Sequence, residues 1–234
     1  FFFVKNFKVI LLIQNILPFE KKIFLQEKFS LIIKNYVLYF LHKFSILRSD
    51  GVILLSKYSR KVLGKKKISY KVIPHGIQKK FFKKLQKKEP TNQTFKILYV
   101  SKYEKYKNHL NLVKACYNLK KKNINVSLTL LGLGEKKDLI NSDLINLITK
   151  INIEFKNLII IKKFKKHAEL SNIYSKFNLH VYPSKCEALG LIILETIASS
   201  LPIICSNYPV YKEILKKNTI YFNPDEHIDI ANSI

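Results

Sequence analysis

The 234 residues carry 42 Lys+Arg against 16 Asp+Glu, a net charge of +26, and 47% of them are apolar. That apolar share excludes a disordered polar chain and suffices for one large core or two small ones, while no stretch reaches eighteen uninterrupted apolar residues, so none reads as a spanning helix. Cys116, Cys186 and Cys205 are odd in number and share no metal-ligand spacing, which argues against a disulfide framework or a cysteine-held metal and suits a reducing cytosol.

Charge is unevenly spread. Residues 1–92 hold 21 Lys+Arg against 4 Asp+Glu, and residues 93–234 hold 21 against 12. Arg48 and Arg60 are the only arginines, and the chain is rich in Ile, Asn, Phe and Tyr, so a coding bias accounts for part of the lysine excess. The remainder suits attraction to an anionic membrane surface or to nucleic acid. A chain that opens Phe1-Phe2-Phe3 and lacks methionine is expected to be a fragment or a trimmed product.

Along the chain, Phe7 to Ile13 is an apolar run that predicts a buried strand, and Gln14-Asn15-Ile16-Leu17-Pro18 turns out of it. A helical pattern follows from about Glu20 to Ile46, with Phe24, Phe29, Ile33, Tyr36, Phe40 and Phe44 along one stripe and Lys21, Lys22, Lys28, Lys34 and Lys43 beside it. The stripe reads as a core-packing face with a solvated basic side; the alternative is a helix lying on lipid head groups. Val52 to Leu55 predicts a strand, Ser56 the cap of a short helix through Leu63, and Tyr70 to Ile77 a strand ending in the turn Pro74-His75-Gly76. Residues 78–94 are polar and lysine-rich, the composition of a linker.

Phe95 to Val100 opens a new series. A loop carrying Lys102 and Lys107 leads to a helix ending near Lys121. Asn125 to Leu131 runs into Gly132-Leu133-Gly134, a turn through which backbone can approach a ligand closely. A strand from Leu158, a short helix from His167 and a strand Leu179–Tyr182 follow. Then comes the most informative stretch: Pro183-Ser184, Glu187, Gly190, Glu195, Ala198, Pro202. Leu191, Ile192, Leu194, Ile197 and Ala198 recur at helical spacing, so Glu187 falls in the loop before a helix and Glu195 about two turns into it. The unbonded amides at such a helix start suit a phosphate, and the flanking carboxylates suit sugar hydroxyls. A strand at Ile203–Ser206, a helix from Pro209 and a strand near Thr219–Phe222 complete an alternation that predicts a parallel, doubly wound α/β sheet with its site at the carboxyl ends of the strands.

Pro183, Ser184, Glu187, Gly190, Glu195, Ala198 and Pro202 together resemble the Glu-x7-Glu element of the family 4 glycosyltransferases, the retaining group of GT-B architecture. The resemblance extends to Ser49-Asp50-Gly51-Val52 with Ser56, to Val72-Ile73-Pro74 with Gly76, and to the strand and loop at 95–110. It implies two Rossmann-like domains with parallel sheets, the first incomplete: residues 1–77 on the acceptor side, 78–94 as linker and 95–234 binding a nucleotide-sugar donor. By resemblance Lys102 and Lys107 hold the diphosphate, Lys102 standing where the family has arginine. Gly132, Gly134, Ala188, Leu189, Gly190 and Leu191 then belong to the donor site, Glu187 meets the transferred sugar and Glu195 the ribose. Gln14, Asn15, His75 and Gly76 are candidates for the acceptor or crevice side. Gln14 and Asn15 stand in the region where many members carry a histidine near the donor sugar. No Asp-x-Asp occurs and no metal or other cofactor is expected, the lysines serving the diphosphate. The expected partners are a nucleotide sugar and a saccharide or lipid-linked acceptor, with peripheral contact to anionic membrane at its cytoplasmic face. Other GT-B enzymes (a synthase or phosphorylase), an inactive fragment and an RNA-binding module are the alternatives; against the last, the aromatics fall in apolar stripes rather than among exposed lysines.

Overall fold

A computed structural model describes residues 7–64, 68–82, 94–133, 142–163 and 167–234 and contains two wholly parallel sheets. The first has the order β1 (Ile10–Ile13), β2 (Gly51–Leu54), β3 (Ser69–Val72). The second comprises β4 (Phe95–Val100), β5 (Val126–Leu131), β6 (Ile159–Lys162), β7 (Leu179–Tyr182), β8 (Ile203–Ser206) and β9 (Tyr221–Phe222), in the spatial order β6-β5-β4-β7-β8-β9. From β4 the chain winds outward to β6, returns, and winds the other way, the doubly wound order whose reversal opens a crevice between the two central strands.

That reversal is visible in the register. β4 and β7 pair only at Ile97↔Leu179 and Leu98↔His180. Beyond that point the Val100 amide donates instead to His180 Nε2 at 3.4 Å. His180 Nδ1 meets Thr196 Oγ1 at 2.6 Å, and that hydroxyl donates to the Ile192 carbonyl at 2.7 Å. A fully buried imidazole therefore ties both central strands to the helix after β7 where the sheet parts. Burial holds this imidazole at about 3, so it stays neutral and keeps one donor and one acceptor.

Helices α4 (His109–Lys121), α5 (Ser142–Glu154), α6 (Leu170–Tyr174), α7 (Leu191–Ala198), α8 (Pro209–Leu215) and α9 (His227–Ser233) alternate with these strands. β4 and β7 have near-continuous apolar sequence because both sheet faces are covered: Ile97, Leu98, Tyr99, Val181 and Tyr182 are all buried. The 3-10 turn Lys79–Phe81, in the stretch of linker composition, packs rather than spans. Phe81 is buried with Leu98, Leu170 and Tyr174, and its carbonyl accepts from Ser199 Oγ at 3.2 Å. Residues 83–93 lie outside the described residues.

The first sheet carries α1 (Lys21–Phe24), α2 (Phe29–Leu47) and α3 (Lys57–Leu63). Ser56 Oγ accepts from the Ser59 amide at 3.1 Å, the cap its position predicts. The single helix expected over 20–46 is instead broken at 25–28. There the Gln26 carbonyl accepts from Lys105 Nζ and Glu27 takes the Tyr106 amide, so contacts with the loop after β4 outweigh helical continuation. Nor does the aromatic stripe of α2 pack into a core. Asn35 and Ile46 are buried, whereas Phe29, Phe40 and Leu47 are 77%, 65% and 67% exposed.

The two sheets meet through specific polar contacts. Glu213 of α8 caps α3, accepting from the Lys57 and Tyr58 amides at 2.9 and 3.0 Å. Glu20 Oε1 accepts from the hydroxyls of Tyr58 (2.7 Å) and Tyr208 (2.8 Å).

Candidate active site

A cavity of about 430 Å³ lies at the reversal point, over the carboxyl ends of β4, β5 and β7. Val100 ends β4 and Ser101 and Lys102 follow it, Leu131 ends β5 with Gly132 next, Tyr182 ends β7, and Leu191 and Ile192 form the first turn of α7. Glu104, Tyr106, Lys107, His167 and Glu187 complete the lining. Gly132 has φ +97°, and a Cβ there would stand 3.1 Å from the Ser101 carbonyl oxygen, so the turn requires glycine for both backbone and space. Gly190 precedes α7 at φ +86°, where an added Cβ would meet Ile193 Cδ1 at 3.2 Å. That left-handed residue turns the chain so that the Leu191 and Ile192 amides, which have no intrahelical acceptor, begin the helix at the cavity.

Lys107 and Glu187 form an ion pair, both largely buried. Glu187 Oε1 also accepts from the Tyr182 hydroxyl at 2.6 Å. The Tyr182 ring is buried edge-on against Tyr99 and Tyr211, and burial raises its phenol well above the ordinary value, so it remains a donor. The Tyr99 hydroxyl donates to the Lys107 carbonyl at 2.7 Å, fixing the turn Lys105–Lys107 over β4. Asn108 then takes a left-handed conformation, φ 61°, and its side-chain Nδ2 donates to the Pro224 carbonyl before α4 begins. His109 is buried between Tyr99 and Tyr103; burial first, and Lys107 second, hold it at about 3.

Glu195 is the fifth residue of α7, closer to the helix start than the two turns expected, and 1% exposed. It does not line the cavity. Its Oε1 bonds His167 Nε2 at 2.7 Å, and the Tyr174 hydroxyl approaches Oε2 at 3.4 Å. Burial raises the carboxyl above its ordinary range, while His167 and Tyr174 oppose that rise. His167 is thus the side chain that connects Glu195 to the cavity, although the sequence reading placed it only at a helix start.

Of the residues expected in the site, Lys102, Lys107, Gly132, Glu187 and Leu191 converge on this cavity, with Gly190 directly behind. Ala188 and Leu189 turn the other way, into a core shared with Ile13, Leu54 and Leu55, and the Ala188 carbonyl accepts from Ser59 Oγ at 3.3 Å. Gln14, Asn15, His75 and Gly76 follow the carboxyl ends of β1 and β3 and are not part of the cavity wall. Asn15 is engaged locally, accepting from the Leu17 amide at 3.0 Å. Gly134 lies outside the described residues. Tyr106, Tyr182 and His167 are wall residues with no motif to announce them; only the place of Tyr182, immediately before Pro183 at a strand end, carried a signal. Among the described residues no cluster of three His, Cys, Asp or Glu side chains is arranged to hold a metal ion.

The family described as glycosyl transferases group 1 matches residues 79–234, two thirds of the chain and the whole of the cavity wall. The chain belongs to this family. The O-antigen chain mannosyltransferase RfbU of Salmonella typhimurium is 36% identical over 76 residues, 32% of this chain and 22% of that protein. The GtfA subunit of the UDP-N-acetylglucosamine–peptide N-acetylglucosaminyltransferase of Streptococcus pneumoniae is 30% identical over 115 residues, 49% of this chain and 21% of that one. The matched stretches thus span about a fifth of each of these relatives. Among solved structures, Anabaena Alr3699/HepE in complex with UDP and glucose superposes with a TM-score of 0.72 over 96% of this chain and 60% of its own, at 18% identity. Sucrose-phosphate synthase from Thermosynechococcus elongatus gives 0.75 over 97% and 58%, at 19% identity. Such likeness establishes the fold: two parallel α/β sheets in the GT-B arrangement.

Proposed function

We propose that this chain is part of a retaining family 4 glycosyltransferase that moves a hexosyl group from a nucleoside diphosphate sugar to a hydroxyl of a saccharide or lipid-linked acceptor, in assembly of a bacterial surface polysaccharide. The carrying observation is the convergence of Lys102, Lys107, Gly132 and the first turn of α7 on one cavity at the sheet reversal. The name of the O-antigen chain mannosyltransferase relative favours mannose as the sugar and a surface glycan as the product.

In this reading residues 95–234 bind the donor, residues 1–77 face the acceptor and 78–94 join them. The reaction lengthens the bond from the anomeric carbon to the diphosphate oxygen, building positive charge on the sugar ring and negative charge on the leaving phosphate. Lys102, Lys107 and the amides of Leu191 and Ile192 stabilise that phosphate charge, and the lysines supply the cationic role without a metal. Glu187, oriented by Tyr182 and Lys107, accepts hydrogen bonds from hydroxyls of the transferred sugar. Glu195, aligned by Tyr174, takes the ribose hydroxyls once His167 yields or bridges to them. The acceptor hydroxyl attacks the face the diphosphate leaves and passes its proton to the departing phosphate oxygen, so the anomeric configuration is kept.

Proton NMR of the product formed from an α-linked nucleotide sugar tests this. An α-linked product is expected, with kcat/KM lowered about 100-fold or more in Lys107→Ala. A β-linked product would exclude retention.

A further inference from the structure

The 3-10 turn Lys79–Phe81 lies outside the cavity wall, yet it touches the groups that hold Glu195. The Phe81 amide donates to the Gln78 carbonyl at 3.0 Å, closing the turn, and the Phe81 ring is fully buried. That ring meets the His167 imidazole at 5.4 Å between centroids and 63° between planes, and the Tyr174 ring at 6.2 Å and 56°. Both are within the range of favourable edge-on and tilted aromatic contacts. His167 Nε2 and the Tyr174 hydroxyl in turn meet the two oxygens of the Glu195 carboxylate, at 2.7 and 3.4 Å. A third connection runs through α7. Ser199 donates its amide to the Glu195 carbonyl at 2.9 Å and its hydroxyl to the Phe81 carbonyl at 3.2 Å. Burial raises the Glu195 carboxyl, and Lys80, whose Nζ stands 5.4 Å from the Phe81 ring, is among the groups that oppose the rise.

We infer that Phe81 is a positioning residue for nucleotide recognition: its ring holds His167 and Tyr174 in the places from which they orient the Glu195 carboxylate toward the ribose. The inference rests on the proposed reading of Glu195 as the ribose ligand. With 42% of its side chain exposed, His167 stays in one rotamer only if packed on its inner side, and Phe81 packs it there. A carboxylate fixed before the ligand arrives loses no rotamer freedom on binding, which is where the affinity gain lies. Removing the ring leaves Glu195 in place on α7 but lets both of its partners turn away. The stretch that joins the two sheets thereby takes part in donor recognition without touching the donor.

A buried phenylalanine that served folding alone would, when truncated, weaken every ligand of the cavity alike. Ribose hydroxyls separate the two roles, because a dideoxy nucleotide offers none to Glu195. Calorimetric titration of UDP, GDP and ADP, each beside its dideoxy counterpart, is the test, in the unaltered chain, Phe81→Leu, Glu195→Ala and Leu128→Val. Leu128→Val trims a core cluster that contains neither Phe81 nor Tyr174. For the nucleotide that binds, the ribose form should be favoured at least about tenfold in the unaltered chain and hardly at all in Glu195→Ala. Phe81→Leu should lower that preference at least about threefold while leaving the dideoxy affinity within about a factor of two, and Leu128→Val should leave the preference intact. A preference lost in Glu195→Ala but kept in Phe81→Leu, or lost equally in Leu128→Val, would overturn the inference alone. No preference in the unaltered chain, or one that survives Glu195→Ala, would overturn the ribose reading and the inference with it.

Discussion

The two sheets bury their apolar residues to different degrees. Around β4, β5 and β7 both faces are covered, and Leu128, Leu130, Val181 and Ile193 are fully buried. Around β1 and α2, Ile10, Phe29, Phe40 and Leu47 are largely exposed. The chemistry sits on the better buried part. That is where Lys107, Tyr182 and Glu187 can be held in one geometry by Tyr99, Tyr211 and the His180–Thr196 link. Hydrophobic content alone would not separate the two parts, since both are rich in Ile and Leu.

Core truncation should sharpen the contrast most. Leu128→Ala, in the middle of β5, is expected to cost about 2–5 kcal/mol in denaturant unfolding, as a transfer loss plus a cavity. Phe29→Ser/Phe40→Ser/Leu47→Ser should change stability least, by about 0.5 kcal/mol or less per site. Equal losses in the two variants would erase the distinction.

Between these lies a pH effect confined to the second sheet. His109 and His180 are both held at about 3, below the ordinary 6.5. On acidification the unfolded chain takes up these protons before the folded one does. The stability that neutral imidazoles preserve at pH 7 is therefore lost between about pH 6.5 and 3, by about 1.4 kcal/mol per pH unit for each histidine. Glu195, raised by burial, acts in the opposite sense from its ordinary 4.5 upward, favouring the folded state at lower pH. Unfolding midpoints from pH 7 to pH 5 should fall, and His109→Phe should remove about half of the histidine contribution. An unchanged slope in that variant would show that His109 does not contribute.

The sequence made the second sheet legible because its strands are short apolar runs separated by helical periods. The spacing of Pro183, Ser184, Glu187, Gly190 and Glu195 marked the strand–loop–helix at its centre. Three features escaped it. The break at 25–28 depends on Lys105 and Tyr106, almost 80 residues away in sequence. The exposure of the α2 stripe could not be read from its periodicity, which is the same for a buried face and an exposed one. The bond from His167 to Glu195 joins the 3-10 turn His167–Glu169 to α7, with no motif of its own. Ala188 and Leu189 show the converse: they lie within the motif, but the turn at Gly190 aims them at the first sheet rather than the cavity.

Calorimetric titration of UDP, GDP and ADP into the unaltered chain, Lys107→Ala and Glu195→Ala tests the central claim most directly. One nucleotide should bind selectively, with its affinity lowered at least about tenfold in each variant, the loss of a charge-assisted hydrogen bond. Binding that survives both substitutions unchanged, or the absence of binding by all three nucleotides, would contradict the assignment of the cavity at the sheet reversal as the donor site.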